Sequence, residues 1–258
     1  MIIGTGWKMN KTVREAVDYT VALLRLLDGI KGLGPDVQVF VVPPFTALEA
    51  VKKHAAGRIW VGAQNMHWAE AGAFTGEISA PMLQELGVDL VELGHSERRR
   101  YFNEQDPLLN QKVHLALKFG LRPLLCVGES LEEKQVGVAP ETVGRQLRIA
   151  LHGVSAAQAS RLLVAYEPFW AIGEGGIPAE PPYVRSLGLH LRSILGSLFG
   201  EAGAHVPVLY GGSVNVANAA DLFLQGQMDG LFIGRAAWQA ENFARIIRDC
   251  VGKKGSVG

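Results

Sequence analysis

The stretch from Leu162 to Gly173 reads LLVAYEPFWAIG, and it decides the fold class of this chain. An apolar run ends at a carboxylate, Glu167, and a proline with two aromatic residues follows before the glycine. Short continuous apolar runs of this kind predict strands of a parallel sheet that is covered on both faces. A Glu at the end of such a strand loses contact with water, which disfavours its ionised form and makes it a stronger base. The Pro-aromatic segment predicts a hinge for a loop that closes over a substrate.

Seven further apolar runs of this kind alternate with amphipathic stretches along the chain. Two of the amphipathic stretches begin with a capping box, at Thr12–Glu15 and at Ser130–Glu133. Eight strand–helix units in about 250 residues are typical of a closed (β/α)8 barrel. We predict the strands to be Ile2–Lys8, Val37–Val42, Ile59–Ala63, Leu90–Leu93, Leu121–Val127, Leu162–Glu167, Val206–Tyr210 and Leu231–Gly234.

A doubly wound open sheet is the alternative architecture. It requires a Rossmann-type glycine-rich turn after the first strand, but Gly4 and Gly6 are followed by Trp7–Asn10, which does not match that fingerprint. The chain has no evident linker or low-complexity tract. We therefore predict an α/β protein, a (β/α)8 barrel, in which residues 1–258 form a single domain.

Composition limits the classes of function. The chain has 258 residues, with 25 basic and 25 acidic side chains, and no basic stripe indicates nucleic acid or an anionic membrane as a partner. The N-terminal residues show neither a charged leader nor a long apolar run, so we expect no membrane segment and a cytoplasmic location. The His and Cys residues show no metal-ligand spacing, and two isolated cysteines are typical of a reducing compartment.

Chemistry in a parallel barrel lies at the carboxyl ends of the strands, where three side chains stand out. Glu167 is the candidate base. Lys8 ends the first predicted strand on the same face as Gly6, so we expect a cation in the barrel mouth with open space beside it. His95 precedes Ser96, a candidate helix N-cap, and the positive end of a helix dipole keeps an imidazole neutral.

Each of these side chains also has a structural interpretation. Lys8 could be an exposed residue after a strand, His95 could cap a turn, and Glu167 could pair with a cation of the barrel. We expect Glu97 and Glu129 to hold Lys8 and the neighbouring loops, and we include Glu97 in the catalytic set on that ground.

Glycine-rich segments follow the last three predicted strands. Gly173 lies in the predicted lid, Ser213 follows two glycines after strand seven, and Gly234 and Arg235 follow strand eight. Backbone amides of such turns, aimed together with a helix N-terminus, bind dianions. The loops after strands seven and eight are the usual phosphate position in these barrels. We therefore predict that these four residues bind a phosphate group.

A base, a neutral hydrogen-bond donor, a cation and a phosphate site suit one reaction class. Glu167 would remove a proton alpha to a carbonyl, and His95 and Lys8 would stabilise the enediolate oxygens before the proton returns to the neighbouring carbon. This reaction requires no metal and no organic cofactor. Two alternatives stay open: a Schiff-base aldolase that uses Lys8, and a non-catalytic sensor of a phosphorylated metabolite.

Seven motifs distributed along the chain belong to one family pattern. They are Trp7–Asn10, Gly62–Asn65, Gly72–Glu77, Gly94–Arg99, Cys126–Glu129, Ala165–Pro168 with Trp170–Gly173, and Tyr210–Val214. Together they resemble the triosephosphate isomerase family over the whole chain. The resemblance implies Glu167 as base, His95 as electrophile, Lys8 as electrostatic clamp, and backbone phosphate contacts at the four residues named above.

The resemblance also implies an assembly. The family is usually dimeric, and its third loop, Asn65–Glu77 in this chain, inserts into the partner subunit and buttresses the lysine. Trp68 and Phe74 would be the apolar anchors of that contact, although burial in the core of their own subunit is the alternative.

Three positions depart from the family pattern. Gly6 stands where an asparagine is usual, the lid tip from Gly173 to Pro178 reads GEGGIP instead of GTGKTA, and Arg235 replaces the second of two glycines. Loss of the asparagine side chain should leave a void that admits one extra hydroxymethyl group on the enediolate. These features resemble the erythrulose-phosphate isomerase branch of the family, which converts L-erythrulose 1-phosphate to D-erythrulose 4-phosphate. The alternative is the triose isomerisation of glycolysis and gluconeogenesis, between dihydroxyacetone phosphate and D-glyceraldehyde 3-phosphate.

Overall fold

Eight parallel strands close into a barrel in this computed structural model, which describes residues 1–173 and 175–254. Each strand pairs with the next along the chain, and the eighth pairs with the first. The strands are β1 Ile2–Gly6, β2 Gln38–Val42, β3 Trp60–Ala63, β4 Leu90–Leu93, β5 Arg122–Val127, β6 Leu163–Tyr166, β7 Val208–Tyr210 and β8 Gly230–Ile233. The predicted (β/α)8 barrel is confirmed.

Two strand ends differ from the prediction by two residues, for identifiable reasons. β1 ends at Gly6 and does not reach Lys8, because Lys8 has a φ of +52°, which no strand residue adopts. The turn, and not strand alternation, therefore directs the Lys8 side chain. β7 begins at Val208, two residues later than predicted, and Pro207 before it has no amide hydrogen to give to the sheet.

Helices cover the outside of the barrel. Both predicted capping boxes are present: the Thr12 and Ser130 hydroxyls accept hydrogen bonds from the amides of Glu15 and Glu133, at 3.4 and 3.1 Å. Within the described part of the chain, no helix combines the length and the apolar character needed to cross a membrane. The helices are α1 Val13–Asp28, α2 Phe45–Ala55, α3 Ala80–Glu85, α4 Ser96–Tyr101, α5 Asp106–Lys118, α6 Leu131–Gln135, α7 Ala139–Ala150, α8 Ala156–Ala159, α9 Pro181–Phe199, α10 Glu201–Ala204, α11 Ala219–Leu224 and α12 Ala240–Lys254.

The apolar interior has two parts. The larger part lies between the sheet and the helices, and the smaller part fills the barrel, where Phe40 and Phe232 stack with their ring centroids 5.5 Å apart. Because strand side chains alternate between faces, every second residue points into the barrel. Leu163 and Ala165 belong to the barrel filling, and Glu167, the next residue on that face, lies above them. The side chains that fill the barrel thus close the bottom of a cavity that lies above them.

Candidate active site

All nine predicted site residues line one cavity at the carboxyl ends of the strands. Its volume is about 580 Å³, within the usual range for small-molecule sites. The predicted residues that line it are Gly6, Lys8, His95, Glu97, Glu167, Gly173, Ser213, Gly234 and Arg235.

Glu167 is a buried carboxylate in the wall of this cavity. Only 1% of its surface is exposed, and its Oε2 accepts a hydrogen bond from the Ser96 amide at 3.3 Å. Burial raises the pKa of Glu167 to about 7, and the Ser96 amide and the Lys8 charge oppose that rise. The predicted effect of desolvation is therefore present, and the group gains and loses a proton near neutral pH.

His95 presents one defined ring nitrogen to the cavity. Its Nδ1 accepts a hydrogen bond from the Glu97 amide at 3.1 Å, so the hydrogen of a neutral ring lies on Nε2. That nitrogen is 3.8 Å from Oε1 of Glu167. The prediction of Ser96 as N-cap is wrong, because the His95 ring caps α4 and Ser96 is its first residue.

The neutral state of His95 has a different main cause from the predicted one. Burial comes first and the positive charges of Lys8 and Arg98 follow, and together they lower the pKa of His95 to about 3. The imidazole is thus uncharged across the physiological range, as expected.

Lys8 brings a positive charge to the cavity wall. Its Nζ donates to Oε1 of Glu97 at 2.6 Å, and Gln64 donates to its backbone carbonyl at 2.8 Å. A left-handed backbone at a non-glycine residue costs about 1–3 kcal/mol, so the surrounding contacts must hold the turn in place. The expected pairing of Glu97 with Lys8 is observed.

The four predicted phosphate-binding residues follow neighbouring strands. Gly173 follows β6, Ser213 follows β7, and Gly234 and Arg235 follow β8, so they share one side of the cavity, which we call the phosphate side. Arg235 opens a short 3-10 helix, and its side chain is exposed. Glu174, in the altered lid tip, lies outside the described residues.

The lid hinge is tied to a buried carboxylate. Glu129 accepts hydrogen bonds from the Trp170 indole at 2.8 Å and from the hydroxyls of Tyr166 and Tyr183 at 3.1 and 2.9 Å. The ammonium of Lys134 lies 3.5 Å from the centre of the Trp170 ring. Glu129 therefore holds the loop after β6, as predicted, and the lid begins from a firm anchor.

The space beside Gly6 is part of the cavity and is bordered by two side chains from other strands. A Cβ atom at Gly6 would stand 3.1 Å from Cζ of Phe232 and 4.0 Å from Oε2 of Glu92. The aromatic ring from β8 and the carboxyl group from β4 thus border the position of the missing side chain. We call Gly6, Glu92 and Phe232 the floor of the cavity.

Glu92 and Phe232 were not among the predicted site residues. Glu92 is only 5% exposed and lines the cavity, with Oε1 4.0 Å from Nε2 of His95. Burial, followed by the negative charge of Glu167, raises the pKa of Glu92 well above its ordinary value. The sequence does contain a signal for Glu92, because charged residues are rarely buried and this one stands between apolar neighbours in a buried strand.

Glu92, His95 and Glu167 form a compact set of possible metal ligands. One donor atom of each lies within 4.8 Å of the others. Binding of a metal by this set would require both carboxyl groups to be ionised. The predicted absence of a metal stays a prediction.

Comparison with known proteins identifies the family of this chain but does not by itself identify its substrate. The chain is 49% identical to an L-erythrulose-1-phosphate isomerase from Mesorhizobium japonicum over 95% of both chains. It is 47% identical to an L-erythrulose-1-phosphate isomerase from Brucella abortus, over 97% of this chain and 96% of the relative. It is also 47% identical to a triosephosphate isomerase from Acetivibrio thermocellus, over 96% of this chain and 97% of the relative. These similar identities do not distinguish the two activities.

The family assignment does not depend on that distinction. The family model described as triosephosphate isomerase matches residues 1–250, which is almost the whole chain. The closed barrel and the clustering of Glu167, His95 and Lys8 around one cavity agree with that match. This chain belongs to the triosephosphate isomerase family.

Proposed function

We propose that this protein is a sugar-phosphate isomerase without metal or organic cofactor, and that it interconverts L-erythrulose 1-phosphate and D-erythrulose 4-phosphate. The observation that carries the choice of substrate is Gly6, where the family asparagine is missing beside the catalytic cavity. Relatives named for that substrate agree with it.

The first step is proton abstraction by Glu167. Its carboxylate takes the proton from C3 of L-erythrulose 1-phosphate, and the C3–H electron pair forms the C2–C3 double bond of an enediolate. A pKa of about 7 suits this role, because a base is most effective when its pKa lies near the working pH.

His95 and Lys8 stabilise the charge that develops on oxygen. The neutral Nε2–H donates a hydrogen bond to the enediolate, and the ring moves one proton from the C3 oxygen to the C2 oxygen. The Lys8 ammonium, oriented by Glu97, supplies a positive charge nearby. Glu167 then returns its proton to C2, which leaves the carbonyl at C3 in the numbering of the substrate. Numbered from its other end, this product is D-erythrulose 4-phosphate.

The substrate assignment is tested by a side-by-side assay. We expect a higher kcat/KM for L-erythrulose 1-phosphate than for dihydroxyacetone phosphate and D-glyceraldehyde 3-phosphate. Faster turnover of the triose phosphates would show that the protein is a triosephosphate isomerase, a result that the Acetivibrio relative makes a real alternative. Repeating the assay with EDTA tests the absence of a metal, since a metal-dependent enzyme would lose activity.

A Schiff-base aldolase is a second candidate reaction on this barrel. It needs a free amine on Lys8, but the ammonium is paired with Glu97 at 2.6 Å. Borohydride treatment in the presence of substrate should therefore give no labelled adduct at Lys8, and a labelled adduct would favour the aldolase.

We further propose a homodimer formed through Asn65–Glu77. Trp68 and Phe74 in this loop are 40% and 38% exposed, although their rings pack against each other at 5.2 Å. Half-exposed aromatic pairs are common at protein–protein contacts. Phe74→Asp should shift the sedimentation coefficient from dimer to monomer, with Met82→Gln, another exposed apolar residue outside the loop, as the comparison. A wild-type monomer would contradict the dimer.

Both cysteines are consistent with a reducing compartment such as the cytoplasm. Cys126 and Cys250 are buried free thiols. Burial raises the pKa of Cys250 to about 12 and raises that of Cys126 as well, so neither forms a reactive thiolate.

A further inference from the structure

Glu92 is a buried carboxyl group without a hydrogen-bond partner inside the chain. It is only 5% exposed, and it points into the cavity from the middle of β4. Among the residues that the structure describes, none hydrogen bonds to it, and Nε2 of His95 is 4.0 Å away. The carboxyl group faces the cavity, where a bound ligand can reach its oxygens. A ligand with a hydroxyl group at this position would give Glu92 the hydrogen-bond partner that it lacks within the chain.

The position of Glu92 relative to the catalytic groups limits what that ligand can be. The phosphate side follows β6, β7 and β8, whereas Glu92 lies on β4, across the cavity and next to His95. The substrate atoms that reach Glu92 are therefore those remote from the phosphate and close to the carbon that loses its proton.

The proposed substrate has an extra hydroxymethyl group at that end of the molecule. L-Erythrulose 1-phosphate is dihydroxyacetone phosphate with one hydroxymethyl group added at the carbon from which the proton is taken. The floor of the cavity provides a matching site, because Gly6 offers no side chain there and the ring of Phe232 gives an apolar wall.

We propose that Glu92 is a specificity-determining residue, whose carboxyl group hydrogen bonds to the terminal hydroxyl of the four-carbon substrate. The inference rests on the proposed function and names the group that recognises the fourth carbon. A carboxyl group suits a hydroxyl as a partner, because its oxygens accept a hydrogen bond from the hydroxyl and its protonated form can also donate one.

The experiment compares two variants on two substrates. Glu92→Leu should lower kcat/KM for L-erythrulose 1-phosphate by about 10- to 100-fold, because one hydrogen bond is lost and the substrate hydroxyl is left unpaired. Its kcat/KM for dihydroxyacetone phosphate should change less than about threefold, because that substrate has no group at this position. Glu92→Gln, which can still donate and accept, should retain most of the activity on the four-carbon substrate.

Leu90→Val is the matched control. Leu90 is two residues earlier on β4, on the same face, and it belongs to the barrel filling and not to the cavity wall. This variant should leave the ratio of the two kcat/KM values unchanged. We expect Glu92→Leu to fold, because an apolar side chain of similar size takes the place of a largely buried carboxyl group.

The outcomes separate this inference from the proposed function. An equal loss on both substrates in Glu92→Leu, or no loss on either, would overturn the role of Glu92 while wild-type turnover of L-erythrulose 1-phosphate still supports the proposed function. A wild type that does not turn over L-erythrulose 1-phosphate would overturn both.

Discussion

The phosphate side and the floor of the cavity are built from different parts of the polypeptide. The phosphate side consists of glycine-rich turns after β6, β7 and β8, and their backbone amides are the groups that we expect to bind the phosphate. The floor is formed by residues of β1, β4 and β8. These are Gly6, which has no side chain, the carboxyl group of Glu92 and the ring of Phe232. Backbone amides bind any phosphate monoester, whereas side chains discriminate between substrates. We therefore expect that substitutions can change binding of the phosphate and choice of the carbon chain separately within one cavity.

The largest expected effect falls on the chemistry that both substrates share. Glu167→Gln removes the base and should lower kcat by about 10²- to 10⁴-fold for tetrulose and triose phosphates alike, with little change in KM. Steady-state kinetics on both substrates measures this. A loss confined to one substrate would place Glu167 among the residues that select the substrate.

The next effect concerns the floor alone. Gly6→Asn restores the family residue and should lower kcat/KM for L-erythrulose 1-phosphate by about 10- to 100-fold, because the added Cβ stands 3.1 Å from Phe232 and overpacking costs about 1–3 kcal/mol. Gly6→Asn combined with Phe232→Leu relieves that contact and should favour dihydroxyacetone phosphate over the four-carbon substrate. Additive losses on both substrates in the double variant would contradict a shared floor.

The pH dependence should be the same for both substrates. Protonated Glu167 cannot accept a proton, so kcat/KM should rise about tenfold per pH unit below about 7 and level off above it. Below about pH 6 the slope should steepen, because the phosphate monoester also takes up a proton there. His95, with a pKa of about 3, should add no step in this range. A pH profile that differs between the two substrates would indicate that a group in the floor titrates, and not Glu167.

The smallest effect is expected on the phosphate side. Ser213→Ala keeps the backbone amide and should lower kcat/KM by at most about two- to threefold, the low end for a single neutral hydrogen bond. A much larger loss, seen in the same assay, would show that the Ser213 side chain and not the backbone binds the phosphate.

The sequence predicts the chemistry better than the substrate site, for a physical reason. All eight strands could be predicted, with ends within two residues, because each is a short apolar run between turn or cap signals. Glu167, His95 and Lys8 lie at strand ends, where polar residues interrupt apolar runs and can be recognised singly.

The floor depends on contacts between strands that are distant in sequence. Phe232 borders Gly6 only because β8 closes the barrel against β1, and Glu92 lies within β4 and not at its end. Strand alternation alone would have placed Glu92 on the same face as Leu90. It could not have shown that this face meets His95 and the gap left at Gly6.

Isomerisation of L-erythrulose 1-phosphate in D2O, followed by NMR, tests the central claim most directly. The proposed proton transfer predicts D-erythrulose 4-phosphate that carries deuterium at its C3. This carbon was C2 of L-erythrulose 1-phosphate and receives the proton from Glu167. With Glu167→Gln we expect no incorporation of deuterium. Product without deuterium would contradict transfer through an exchangeable base, and absence of product would contradict the proposed substrate.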